Sequence, residues 1–139
     1  TVGYTMTEIL GLSSITGEGG YKNRLDFLTG PNNYTGVAIY NQLIWVSDLP
    51  ESYEISVRAS DGYVRVISQS VVEGTLFGYN STTGNSVGQI NCTMILAYDI
   101  DGEDLGEDGP LRVAFLSNEY FTTSTLWIRS VVKITVTAL

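Results

Sequence analysis

Residues 93–115 read TMILAYDIDGEDLGEDGPLRVAF. Two apolar runs, MILAY (94–98) and LRVAF (111–115), flank an acidic, glycine-rich segment. Apolar runs of this length, bounded by turn residues, are strands joined by a hairpin or a slightly longer loop. The connecting carboxylates are Asp99, Asp101, Glu103, Asp104, Glu107 and Asp108. Oxygen ligands at alternate positions are what calcium takes, but Gly102 falls too early for an EF-hand. The segment therefore reads as an exposed turn carrying solvated charge. Arg112 opens the second run. Burying an arginine alone is costly, so Arg112 should pair with a carboxylate and hold the acidic loop.

Working outward, Tyr53, Ile55, Val57 and Ala59 alternate with Glu54, Ser56 and Arg58, a half-buried strand. Asp61-Gly62 is a turn signal, and residues 63–67 alternate again, which makes a hairpin. Val37, Tyr40, Leu43 and Ile44 recur at helical spacing and predict a helix over 36–46. Residues 24–29 read as a strand and Gly30-Pro31-Asn32-Asn33 as a turn. The chain opens strand-like from Val2, and Thr7 then caps a short helix over residues 8–10. Gly11, Gly17, Gly19 and Gly20 punctuate the next stretch of chain. Residues 68–74 make a short helical turn, and 79–88 and 117–124 read as polar connections. Residues 125–139 close the chain as a strand, with Val132, Ile134 and Val136 on one side. Trp45 and Trp127 are core candidates, Trp127 as the anchor of the closing strand. The result is one domain over residues 1–139, mostly β, with one or two short helices.

Composition narrows function by exclusion. The net charge is −8, and the seven basic residues form no cluster. That argues against nucleic acid and against anionic membrane surfaces as partners. No apolar run is long enough to insert in a membrane. Histidine is absent, which rules out a Ser-His-Asp triad, a Cys-His pair and a histidine zinc site. The single cysteine, Cys92, has no internal disulfide partner and reads as a buried, inert thiol. Nothing at Thr1 resembles an export signal and the sequence does not begin with Met. It therefore reads as a mature product or part of something longer. The glycosylation patterns at Asn33, Asn80 and Asn91 point to an exported or cell-surface protein.

Five pieces then line up: TGVAIYNQLI (35–44), ASDGY (59–63), ILAY (95–98), GPLRVAF (109–115), and Trp127 followed by VVKITV (131–136). Their order and spacing resemble small members of the sulfite-oxidase-like, oxidoreductase molybdopterin-binding domain family, from about Tyr4 to Val136. The resemblance implies an α+β, mostly β fold of twisted mixed sheets. The family's enzymes hold molybdenum through one cysteine, upstream of the segment matching Gly36-Val37. They anchor the pterin phosphate with an Arg and a Lys before the last strand. Here residues 17–37 contain no cysteine, Cys92 lies far downstream, and TTSTLWIRS (122–130) has Thr and Leu at the anchoring places. The cofactor needs thiolate ligation and cationic phosphate anchoring.

The expectation is therefore a non-catalytic member of that fold, with no catalytic residue, no metal and no cofactor. It would act as a binding or structural module for a protein or small-molecule ligand. The alternative is a divergent oxidoreductase that binds molybdopterin or another cofactor through other contacts. Tyr21, Lys22, Asn23 and Arg24, in the region of the missing cysteine, are the candidate ligand-facing loop. Arg112 joins them as a candidate anion contact in a remnant of the cofactor cleft. An unrelated adhesive immunoglobulin-like sandwich is a third possibility, against which a helix at 37–46 would argue.

Overall fold

The computed structural model describes residues 6–40 and 50–139. Helix α1 (Met6–Gly11) is followed by β1 (Ile15–Lys22), β2 (Leu28–Ala38), β3 (Tyr53–Ala59), β4 (Val64–Ser68), and then α2 (Gln69–Val72). The chain continues with β5 (Thr75–Asn80), β6 (Ser86–Asn91), β7 (Thr93–Ile100), β8 (Arg112–Leu116), β9 (Tyr120–Thr123) and β10 (Val131–Ala138). The strands form a seven-stranded sheet in the order β6-β5-β9-β1-β2-β7-β8 and a three-stranded sheet in the order β10-β3-β4. Pairing is antiparallel except between β1 and β9. This is a mostly β, α+β arrangement with mixed pairing and two short helices among the described residues.

The runs 94–98 and 111–115 are the adjacent strands β7 and β8, in register from Thr93↔Leu116 to Ala97↔Arg112. Met94, Ile95, Leu96 and Ala97 are buried in succession, as are all five residues of β8. Covering both faces of a strand removes the need for alternation, which is why the sequence shows solid apolar runs there. The large sheet curls, because the Ser117 N–H at the end of β8 donates to the Glu18 carbonyl of β1 at 2.8 Å. One apolar cluster runs from Tyr53, Ile55, Val57 and Ile67 through β7 and β8 to Trp127.

The β3–β4 hairpin forms as expected, with Tyr53, Ile55, Val57 and Ala59 buried. At its tip Gly62 has φ +93° and the Asp61 carboxylate accepts the Tyr63 N–H at 2.9 Å. The expected turn at 68–74 is α2.

Several expectations are corrected. Residues 36–38 end β2 instead of opening a helix; Gly36 pairs with Ala97, and both faces are covered. The rest of that predicted helix, with Trp45, lies outside the described residues, apart from a short π-type turn at 39–40. The strand read at 24–29 is a turn, and β2 begins at Leu28. The predicted turn at Gly30-Pro31-Asn32-Asn33 lies inside β2. There a register shift sets Gly30 and Pro31 against Gly20, so proline interrupts no ladder bond. Residues 79–88 are mostly the β5–β6 hairpin, and 117–124 contain β9. Thr7 lies within the first turn of α1 instead of ahead of it. In β10 a register shift between Val131 and Lys133 leaves Val132 63 % exposed, while Val131 takes the buried place opposite Ala59.

Candidate functional site

Strand β1 carries Tyr21 and Lys22 at its end, and alternation sends their side chains to opposite faces of the sheet. Tyr21 pairs with Thr122 of β9 and Lys22 with Thr123. On the Tyr21 face, Trp127 is buried and its indole Nε1–H donates to the Thr122 hydroxyl at 2.7 Å. The Tyr21 and Trp127 rings lie 5.0 Å apart, Tyr34 meets Trp127 edge-on at 5.3 Å, and Phe115 lies 6.3 Å away. Trp127 is thus the core anchor that the sequence indicates.

Arg112 enters this aromatic group from β8 and is 4 % exposed. One terminal nitrogen pairs with Asp108 at 3.0 Å, and the other donates to the Trp127 carbonyl at 3.1 Å. Its guanidinium carbon lies 5.4 Å from the Trp127 ring centre and 5.6 Å from that of Tyr21. The second Asp108 oxygen takes Arg129 at 3.3 Å. Arg112 therefore ties the acidic loop to the core, the structural role expected of it. Its Nε is buried without a hydrogen-bond partner. Burial pushes the Tyr34 phenol up to about 12, and the nearby Arg112 charge pulls it partway back.

Lys22 lies on the other face. Its ammonium donates to the Gly84 carbonyl at 2.9 Å, pairs with Asp26 at 3.3 Å and sits 4.7 Å from the Tyr79 ring centre. Asn23 shapes the β1–β2 turn: its side-chain oxygen accepts the N–H groups of Leu25 and Phe27 at 2.9 and 3.0 Å. Asp26 adopts φ +66° there. Arg24 is exposed on this turn. Of the five candidates, then, Tyr21 and Arg112 come together. Lys22 is engaged elsewhere, Asn23 is a turn brace and Arg24 projects from the tip.

Sequence reading missed Asp108 as the partner of Arg112 and missed Tyr34 and Gly84 altogether. The four-residue spacing of Asp108 and Arg112 around Gly109-Pro110 was the one available signal. Tyr34 and Gly84 reach the site only through strand pairing.

The acidic loop is organised by hydrogen bonds to β2 and to its own backbone. Asp101 accepts the Asn33 N–H at 2.8 Å and the Asn32 amide at 2.7 Å, which hold its carboxyl below the ordinary range. Asp99 and Asp104 accept the Gly102 and Gly106 N–H groups. Among the described residues no group of three acidic or cysteine side chains is placed to hold a metal. Cys92 is buried between β6 and β7, and burial alone pushes its thiol up to about 12. A thiol held protonated in this way is poorly suited to ligate molybdenum, and Arg129, the one cation of the 122–130 stretch, is paired with Asp108. Neither of these two described groups is placed as the thiolate ligand or the phosphate anchor that a molybdenum–pterin group needs. No described helix is long and apolar enough to cross a membrane.

No family model matches the chain, and no curated protein matches it.

Proposed function

We propose that this chain is a non-catalytic domain of sulfite-oxidase-like fold, a binding or structural module of an exported or surface protein that engages a protein or small-molecule ligand. The observation that carries the reading is the state of Arg112. The one cation placed in the core is bonded to Asp108 and the Trp127 carbonyl and flanked by two aromatic rings. An anionic cofactor would have to displace those internal contacts. The mostly β fold and the protonated, buried thiol of Cys92 support the same reading.

The test is elemental and pterin analysis of protein purified from a molybdenum-replete host. The expected result is less than stoichiometric molybdenum and no released pterin fluorescence. One molybdenum or one pterin per chain would overturn the proposal and require an oxidoreductase.

A further inference from the structure

The three-stranded sheet leaves an outer face that nothing in the described chain covers. Lys133 and Arg58 stand directly opposite each other on it, with Val64 opposite Arg58 on the far side. All three are exposed, Val64 by 50 % and Val66, on the same face, by 53 %. Like charges facing each other across a ladder repel. No carboxylate among the described residues relieves them: neither Arg58 nor Lys133 has an ion pair. In a chain of net charge −8 with seven cations, an unpaired pair set beside exposed valines is a surface complementary to an acidic partner.

The molecule carries such a partner itself. The acidic loop presents Glu103, Asp104 and Glu107 to solvent. Glu103 and Glu107 have no side-chain bond, and Asp104 uses only one oxygen internally. The loop meets the start of β10, where the Ser130 N–H donates to the Asp108 carbonyl at 2.9 Å. The Ser60 N–H, beside the β3–β4 tip, donates to the Ser130 carbonyl. Loop and basic rung thus lie toward the same end of the molecule without bonding each other. Neighbouring complementary patches suit a two-fold pairing, in which each copy's loop reaches the other copy's sheet.

We propose that the outer face of the β10-β3-β4 sheet is a homotypic docking surface, with Arg58 and Lys133 of one copy taking Glu103 and Glu107 of a second. The inference does not depend on the sulfite-oxidase-like reading; it needs only the sheet register and the loop position. The two net negative charges oppose approach at long range. At about 0.1 M salt the screening length is about 10 Å, which damps that repulsion while leaving contact pairs in force.

The experiment is sedimentation equilibrium of the chain at about 0.1 M and about 1 M salt. The expected result is a dimer at the lower salt that dissociates at the higher. Arg58→Glu/Lys133→Glu and Glu103→Lys/Glu107→Lys should each weaken association, on the order of a hundredfold. Mixing the two reversed variants restores both contacts, one with its signs exchanged and the other with the wild-type signs, so the mixture should dimerise where neither variant does alone. All four positions are exposed, and circular dichroism checks that the variants fold. A wild-type monomer at both salts would overturn the proposal. So would a dimer indifferent to charge reversal, or reversed variants that stay monomeric when mixed.

Discussion

Arg112 shows what a single residue does here. Its two terminal nitrogens meet different partners, and its plane lies within reach of two aromatic rings. Lysine keeps the charge but has no planar fork, so it cannot reproduce this arrangement of two separate nitrogens between two rings. Arg112→Ala is expected to destabilise by about 2–4 kcal/mol, through the lost pair, the lost ring contacts and the void left behind. Arg112→Lys should recover less than half of that. Urea unfolding midpoints measure both; a lysine variant as stable as wild type would show that charge alone matters. That Arg112 would pair with a carboxylate was legible from its place at the head of an apolar run. Which carboxylate was not, because six stand within the preceding loop and only backbone geometry selects Asp108.

Among elements, β1 is one that the sequence hid. Its glycines look like breaks, yet they are what allows the strand to sit there. A Cβ on Gly19 would fall 2.6 Å from the Phe115 carbonyl and 3.1 Å from the Trp127 ring. A Cβ on Gly20 would meet Phe121 at 2.5 Å. Glycine in a strand marks close approach of other chain segments. Gly19→Ala should therefore cost about 1–3 kcal/mol by overpacking. Gly11→Ala, at the end of α1 with nothing within 4 Å of the added Cβ, should change stability little. Thermal melts of the two variants make the comparison, and equal losses would contradict the packing argument. Strand β2 was missed for a related reason. Gly36 and Val37 are both buried, and a strand covered on both faces shows no period-two pattern.

At the scale of the whole molecule, burial couples stability to alkaline pH. Cys92 is pushed by burial from its ordinary value near 9 up to about 12, and Tyr34 from near 10 up to about 12. Burial likewise raises Tyr53, whose hydroxyl donates to Glu73 at 2.9 Å. A group raised on folding has no effect on the pH dependence well below its unfolded value. As pH climbs past that value the unfolded chain releases a proton that the native state keeps, so stability falls. Unfolding free energy should thus decline from about pH 9 towards pH 12, the first part owing to Cys92. Cys92→Ala should remove that first part and leave the later tyrosine-driven fall. Urea midpoints at successive pH values check this; a flat profile up to pH 11 would refute it.

The sequence by itself determined that β3, β4, β7, β8 and the closing β10 are strands, where residues alternate or a run is solidly apolar. It also fixed what the side chains lack, histidine and a second cysteine. Local chemistry suffices there, because alternation, apolar runs and turn residues act over a few positions. Only the tertiary structure decided that the glycine-rich segment is a strand, that Tyr21 and Lys22 serve opposite faces, and that Asp108 is the partner of Arg112. It also set Lys133 opposite Arg58. Each of these depends on which strands become neighbours and in what register, and pairing between distant segments leaves no periodic signal in either one alone.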